Sequence, residues 1–403
     1  MEIVRTKSSP LHISIGVEKV FIFIFLSVGL ALTGCGSFTM EERQEGKIKG
    51  KELEVKKTII RSEEGRHFGR TSIVRKDSTT LILMYKESKS HAGNKRGRIH
   101  VQFSGNNGDS WSQPNHTLNG ERVEGFPATP PGAEVGSSFG PGEPWLYRSP
   151  EGDFILHSWS VDYTRPNEEG KGTWQMRSDD GTKWTKFRKI DFGGIQNDNS
   201  TFSTDDHFVV NDTIYAGARQ HKNGRVRSIL LVSEEGLEWE KRSSISDFKH
   251  NTSEVGIEYV GGGRIVAILN NKERLGTFYT ASNDMGGSWE ELRRIEKDTD
   301  IWDRPRIFTT AHIKGSNEWW KSSTLIGVGN LAIETGSSFP RQNSLWISRD
   351  NGDTWSGVYA FDYISQDGGY GDVYYDGDNF HFITYRGDRK EANLVGYKFR
   401  LPN

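Results

Sequence analysis

Along most of the chain, apolar positions alternate with polar ones in short runs bounded by Gly, Asp and Asn. "TSIVRKDSTTLILMY", "RIHVQFS", "VGIEYVGGGRIVAIL", "GTFYTAS" and "NSLWISR" are examples. A period of two, rich in β-branched and aromatic residues, predicts strands, and a Gly- or Asp-rich break between two runs predicts a hairpin. No stretch reads as an amphipathic helix. The runs gather into six units of about 50 residues with four short antiparallel strands each, the pattern of a β-propeller blade. The sixth unit, from "GGYGDVYYDGD" onward, stops at its third strand. "LEVKKTIIR", Leu53 to Arg61, is placed to supply the missing outer strand and close the ring. The predicted fold class is therefore all-β, a six-bladed β-propeller over residues 53–403.

A second periodicity is laid over the first. "SGNNGDSW" from Ser104, "SNDMGGSW" from Ser282 and "SRDNGDTW" from Ser348 repeat one turn, and "SDDGTKW" from Ser178 and "SEEGLEW" from Ser233 repeat it one residue shorter. The closing tryptophans are Trp111, Trp184, Trp239, Trp289 and Trp355, at intervals between 50 and 73 residues. A fixed motif at a loose period marks a repeat architecture with insertions in its loops. The Asp or Asn accepts from backbone N–H groups and Gly relieves the tight geometry. The Trp, Trp355 included, is expected to fold back and bury its ring beneath the hairpin.

The N-terminus follows another logic. Lys7 and Lys19 precede the apolar run Val20–Leu32, which leads into "LTGC" and the single cysteine of the chain, Cys35. A basic start, an apolar core and small residues before a cleavage point read as a secretory signal over residues 1–34. The cysteine's placement resembles the bacterial lipobox, which implies lipidation of Cys35 and an anchored protein of the cell envelope, at the outer membrane or cell surface. Residues 35–52 are a charged tether. With one cysteine no disulfide forms within the chain, and the fold rests on its core. The net charge is −2 with acids and bases interspersed, so no nucleic-acid-binding face is expected. Contact with the membrane is expected through the lipid alone, and the protein as a monomer. Neither metal-ligand spacing nor a nucleotide-binding glycine loop occurs, so no cofactor is expected.

The chemistry enters where the first strand of each unit begins. The openings are "RTSIV" at Arg70, "EPWLY" at Glu143, "DHFVV" at Asp206, "EVGIE" at Glu254, "RPRIF" at Arg304 and "YGDVY" at Tyr370. In a propeller the innermost strands surround the axis, so these six polar heads should converge at one mouth. Six such groups in one ring are costly unless they pair or bind something, which marks a candidate site.

Staples, six units and this ring together resemble the sialidase (neuraminidase) superfamily with its BNR, or Asp-box, repeats, over essentially all of residues 53–403. "TSEVGIEYVGGGRIVAIL" is similar to the family stretch carrying the glutamate partner of the nucleophile, which maps to Glu254. "GGYGDVYYDGDNFHFITYR" is similar to the stretch of the nucleophilic tyrosine, which maps to Tyr370. "FPRQNSLWISRDNGDTW" is similar to the segment with the last arginine of a carboxylate-binding triad, Arg341. Sialidases depart from most glycosidases in using Tyr as nucleophile. A neutral phenol avoids the repulsion that a carboxylate would meet from an acidic sugar, and guanidinium forks hold a carboxylate bidentately.

The chain also departs from the family. Where the family reads like Tyr-Arg-Ile-Pro-Ser, this chain reads "FGRTSIV"; matching the Ser puts Gly69 at the arginine position, and matching the strand start puts Arg70 there, in register with Glu254 and Tyr370. The second triad position holds Asn270, with Arg304 or Arg306 as replacements from the next unit. The loop expected to carry the general-acid aspartate, "KESKSHAGNKRGR", offers Glu87 and His91 instead. The implied function is an exo-acting glycoside hydrolase that removes a terminal sialic or related ulosonic or uronic acid from a glycan. Two alternatives are a uronate polysaccharide lyase, with His91 and Tyr370 as base and acid, and a non-catalytic glycan-binding lipoprotein.

Overall fold

The computed structural model describes the chain from residue 51 to 402, apart from residues 92–96, 131–138, 142–143, 163–171, 193–200, 272, 274–275, 296–300, 310–322, 333–339 and 364. The expected signal sequence, lipidated Cys35 and nearly all of the tether therefore lie outside the described residues, as does Glu143. Among the described residues the regular structure is all strand.

Strands β1 (Lys51–Glu52) and β2 (Val55–Arg61) come first, followed by the antiparallel set β3 (His67–Arg75), β4 (Leu81–Ser88) and β5 (Arg98–Ser104). A second set comprises β6 (Phe139–Pro141), β7 (Trp145–Arg148), β8 (Phe154–Asp162), β9 (Gly172–Ser178) and β10 (Arg188–Lys189). The third runs β11 (Thr201–Val210), β12 (Thr213–Lys222), β13 (Arg225–Ser233), β14 (Glu240–Ser244). The fourth runs β15 (Thr252–Gly261), β16 (Arg264–Asn271), β17 (Thr277–Ser282), β18 (Arg293–Arg294). The fifth is β19 (Ile301–Thr309), β20 (Leu325–Ala332), β21 (Arg341–Ser348), β22 (Ser356–Ala360), with β1 added parallel to β22. The last is β23 (Asp367–Tyr375), β24 (Phe380–Gly387) and β25 (Ala392–Phe399). As the hydrophobic pattern anticipated, β2 pairs antiparallel with β25 and completes this set. A bridge from Ala392 to His67 joins the last set to the first.

The apolar side chains are buried between sets rather than within them, because each strand shows one face to each neighbouring sheet. Phe208, Val210 and Leu230 of the third set pack with Val255, Ile257 and Ile265 of the fourth. Val266 and Ile268 of the fourth pack with Ile307 and Leu325 of the fifth. Ile326 and Val328 of the fifth pack with Phe380 and Phe382 of the last. Tyr374, Ile383 and Leu394 of the last set then pack with Ile73, Leu81 and Leu83 of the first.

The repeated turn has the expected internal bonding. In all five copies the opening Ser Oγ accepts from the Gly backbone N–H, at 2.7 Å for Ser104 and Gly108 and at 2.8 Å in the other four. Asn106, Asp284 and Asp350 accept from the backbone N–H of Ser110, Ser288 and Thr354 at 3.0, 2.8 and 2.9 Å. The tryptophans correct the expectation. Trp184 and Trp239, in the two shortened turns, are buried and donate their indole N–H to Gly181 and Gly236 carbonyls. Trp111, Trp289 and Trp355 are only half-buried. The missing residue of the short turn draws the ring in beneath the hairpin, whereas the full turn leaves it at the rim of the seam with the preceding set.

Candidate active site

The inner strands do not run straight. The ladder skips between Gly69 and Ser72 on β3, Ser253 and Val255 on β15, Asp303 and Arg306 on β19, and Gly369 and Asp372 on β23. The residues set loose by these bulges are Arg70, Glu254, Arg304 and Tyr370, with φ of 57°, 52°, 57° and 46°. Left-handed backbone is uncommon for such side chains, and bulges are a recurrent way of re-aiming a side chain at a functional site. Four of the six expected heads therefore share one local conformation as well as one strand position. On β11 the skip falls between Thr204 and Asp206, so Asp205 takes the bulged place and Asp206 lies one step deeper.

Tyr370 and Glu254 meet. The phenol donates a short hydrogen bond to Glu254 Oε1, and Asn270 Nδ2 donates to Glu254 Oε2 at 2.8 Å. Asn270 is thus an orienter of the carboxylate. The guanidinium carbons of Arg70 and Arg304 lie 4.8 and 4.2 Å from the centroid of the Tyr370 ring. Tyr370 and Glu254 are half-buried while the arginines are buried, so the Tyr–Glu pair is more open to solvent than the cations beside it. A phenol with its proton acceptor in place and cations close by is set up to carry negative charge on its oxygen, as a nucleophile must. A Cβ on Gly69 would stand 2.7 Å from the Tyr385 ring, so that position has no room for a side chain, and the arginine of the site is Arg70.

The segment before Tyr370 is held from three strands. Asn330 Nδ2 donates to the Gly368 carbonyl, Gly369 N–H donates to Asn343 Oδ1 at 3.1 Å, and Thr384 Oγ1 donates to the Gly369 carbonyl at 2.7 Å. Gly369 itself has φ of 94°, and a Cβ there would press on Asn330 at 2.5 Å.

Asp367 is the centre of a second cluster. Its Oδ2 accepts from His67 Nε2 at 3.0 Å and from His91 Nδ1 at 2.7 Å; its Oδ1 accepts from Arg341 Nη1 at 3.2 Å and Arg304 Nη1 at 3.4 Å. Burial alone would raise its pKa, but the two histidines and Arg304 outweigh it and hold the carboxyl well below the usual range. Burial lowers both histidines, His91 strongly. His91 lies at this cluster with Nε2 3.2 Å from Arg304 Nη2. Arg341 also belongs here, so the structure brings Arg70, Arg304, Arg341, Glu254, Tyr370, Asn270 and His91 together.

Arg306, Asp206 and Glu87 are placed otherwise. Arg306 is buried between Asp206 Oδ1 at 2.9 Å and Asp372 Oδ2 at 3.0 Å. These carboxylates also accept from the next inner strand, Asp206 from Ile257 N–H at 3.2 Å and Asp372 from Ile73 N–H at 2.9 Å. They form an internal tie between inner strands beneath the site. Arg306 and Asp206 are spent on that tie and are not substrate-binding groups, because strand alternation turns the residue after each bulge away from the mouth. Glu87 lies 3.0 Å from His100 Nε2 and 3.3 Å from Arg66 Nη1, and the His100 contact lowers the pKa of its carboxyl.

Sequence reasoning missed Asp367, His67 and Tyr385, whose hydroxyl accepts from Arg304 Nη1 at 2.6 Å. One signal was available. His67 and Asp367 both stand three residues before a bulged head, in "HFGR" and "DGGY". The first and last inner strands lie side by side, so His67 meets Asp367, Arg70 meets Tyr370, and Ser72 meets Asp372.

An all-β chain with Asp-box turns and a Tyr–Glu pair among arginines is a protein of sialidase-like fold. The sequence matches the BNR repeat-like domain over residues 52–381, and the chain belongs to that family. Among solved structures it is similar to a protein of unknown function from Dyadobacter fermentans, with a TM-score of 0.63 and 13% identity over 86% of this chain and 98% of that one. It is also similar to the Hadza microbial sialidase Hz136, with a TM-score of 0.62 and 16% identity over 83% of this chain and 66% of that one. A Trypanosoma rangeli sialidase in complex with 2,3-difluorosialic acid gives a TM-score of 0.61 and 13% identity, over 87% of this chain and 59% of the sialidase. The chain thus spans less than two thirds of both sialidases, and the likeness at these identities is one of fold. No curated protein matches the sequence.

Proposed function

We propose that the protein is an exo-acting glycoside hydrolase of sialidase type, removing a terminal acidic sugar from glycans. The observation that carries this reading is the Tyr370 hydroxyl bonded to Glu254, with Arg70 and Arg304 beside the ring. Glu254 takes the phenol proton as the Tyr370 oxygen bonds to the anomeric carbon and the glycosidic bond breaks, the aglycone leaving as its oxyanion. Water then attacks that carbon, the bond to Tyr370 breaks as Glu254 returns its proton to the phenol, and the proton released by the water neutralises the departed aglycone through solvent. Arg70, Arg304 and Arg341 hold the substrate carboxylate. The fold that serves this site is a six-bladed propeller, a reading supported by hydrophobic seams that link successive strand sets and return from the last to the first. Lipidation at Cys35 ties the enzyme to the bacterial envelope, a reading that rests on the "LTGC" junction.

Neither expected proton donor is poised for that task, since Glu87 is bound by His100 and Arg66 and His91 lies between Asp367 and Arg304. An aryl glycoside, whose leaving group needs little help from an acid, is therefore the substrate for the first assay. The test is a panel of aryl sialosides, other aryl ulosonides and uronides, and uronate polysaccharides. Release of the phenol by the wild type and its loss in Tyr370→Phe support the hydrolase. Ultraviolet-absorbing unsaturated ends identify a lyase, and glycan binding without turnover identifies a binding protein.

A further inference from the structure

Asp367 and His67 touch neither the Tyr370–Glu254 pair nor the substrate in the proposed reaction, yet the Asp367 carboxylate is fully buried and takes four side-chain donors. Burying a charge is costly unless it is paired and hydrogen-bonded, and here nearly every lone pair is used. The two rings must be in opposite tautomers for this. His67 donates from Nε2, and His91 donates from Nδ1 while its Nε2 faces the guanidinium of Arg304 at 3.2 Å. A guanidinium is donor-only, so His91 Nε2 is the acceptor and the ring is neutral.

The same three residues also have the spacing of a metal trio, their ligand atoms lying within 4.8 Å of one another. The surroundings oppose a cation. Two guanidinium groups touch Asp367 Oδ1, and a metal on His91 Nδ1 would put a proton on Nε2 against the Arg304 N–H groups. Hydrogen bonding satisfies both Asp367 oxygens and the facing ring nitrogens, whereas a metal would leave donor facing donor.

We infer that Asp367 is the positioning residue of this site: gripped by His67 and His91, it fixes Arg304 and Arg341 as a clamp for the substrate carboxylate. The clamp function rests on the acidic-sugar reading; the hub itself does not. Arg304 is held by Asp367 and His91 as well as by the Tyr385 hydroxyl and the Gly368 carbonyl, and its guanidinium carbon lies 4.2 Å from the centroid of the Tyr370 ring. Asp367 also lies three residues before Tyr370, so one buried anion sets both the clamp and the start of the nucleophile's segment. The backbone of His91 is anchored to the Arg389 carbonyl at 2.7 Å, which brings the loop to the hub.

Two measurements on the full-length protein test this. The first is nitrogen-15 NMR of histidine-labelled protein at pH 7, with signals assigned by His67→Gln and His91→Gln. The expected result is a neutral Nε2-protonated His67 and a neutral Nδ1-protonated His91, and Asp367→Asn should change both rings. An imidazolium at either position, or the reversed tautomers, overturns the hub. So does stoichiometric zinc binding by calorimetry that His67→Gln abolishes, since the trio would then be a metal site.

The second measurement is calorimetric binding of 2-deoxy-2,3-didehydro-N-acetylneuraminic acid in a Tyr370→Phe background, which removes turnover. Asp367→Asn and His91→Leu should each raise the dissociation constant at least tenfold. His91→Gln, which can still donate to Asp367 and accept from Arg304, should recover most of the loss. Unchanged affinity in Asp367→Asn and His91→Leu overturns the clamp. If the wild type binds neither this sugar nor any carboxylated sugar of the substrate panel, the acidic-sugar reading fails, while the NMR result still decides the hub.

Discussion

Removing the Trp239 indole should destabilise the protein about twice as much as removing that of Trp355, although both end the same repeated turn. Trp239 is 2% exposed, its N–H caps the Gly236 carbonyl at 2.7 Å, and its ring meets His157 edge-on at 5.7 Å. A large aromatic buries roughly 200 Å², and at about 25 cal/mol per Å² that is ~5 kcal/mol as an upper bound. Replacements of buried Trp by Ala fall in the range of about 3 to 5 kcal/mol, so about 4 kcal/mol is expected for Trp239→Ala. Trp355 is half-buried against the seam between the fourth and fifth sets. Half the buried area halves the expected loss to about 2 kcal/mol, within the upper bound of ~2.5 kcal/mol from the same coefficient. Equilibrium urea unfolding followed by far-ultraviolet circular dichroism measures both. Equal losses, or a larger loss for Trp355→Ala, would refute the argument that turn length decides how deeply the ring is set.

Two further outcomes follow from the site's supports. Gly69→Ala places a Cβ 2.7 Å from the ring of Tyr385, which cannot retreat without disturbing Arg304 on its hydroxyl; about 1 to 3 kcal/mol should be lost to overpacking, and an unchanged urea midpoint would show that the ring has room. Burial pushes the Asp206 carboxyl up to about 7, against the pull of Arg306 and with help from Glu258, from an ordinary value of 3.8. The folded state therefore holds that proton more tightly, so this contribution to stability is full below pH 3.8 and is lost as the pH rises to about 7. Asp206→Asn should lose less stability than the wild type between pH 4.5 and pH 7.5, and parallel pH curves would contradict the assignment.

What the sequence made legible follows from what repeats. The turns were readable because each copy uses the same Ser–Gly bond, and the strands because their alternation serves a seam on either side. Arg70, Glu254, Arg304 and Tyr370 were found by aligning strand openings, and their common left-handed backbone is the physical reason the alignment worked. At Asp206 the strand opening lies one residue past the bulge. A bulge inserts a residue into one strand, and a slip of one turns a side chain from the mouth to the interior. Arg306 went astray in the same way. Asp367 and His67 were invisible for a different reason. Their meeting depends on the first and last inner strands being neighbours, a contact across 300 residues that no local pattern encodes. Glu87 and His91 were suggested by their loop alone, and only their partners separate a tied carboxylate from a ring held beside the site.

The central claim is that Tyr370 is the nucleophile, and covalent trapping tests it most directly. Incubating the protein with 2,3-difluorosialic acid and mapping the digest by mass spectrometry should locate one fluorosugar adduct, on the peptide containing Tyr370. Glu254→Gln should form it far more slowly and Tyr370→Phe should not form it at all. An adduct on any other residue, or turnover of an aryl sialoside by Tyr370→Phe at the wild-type rate, would contradict the account.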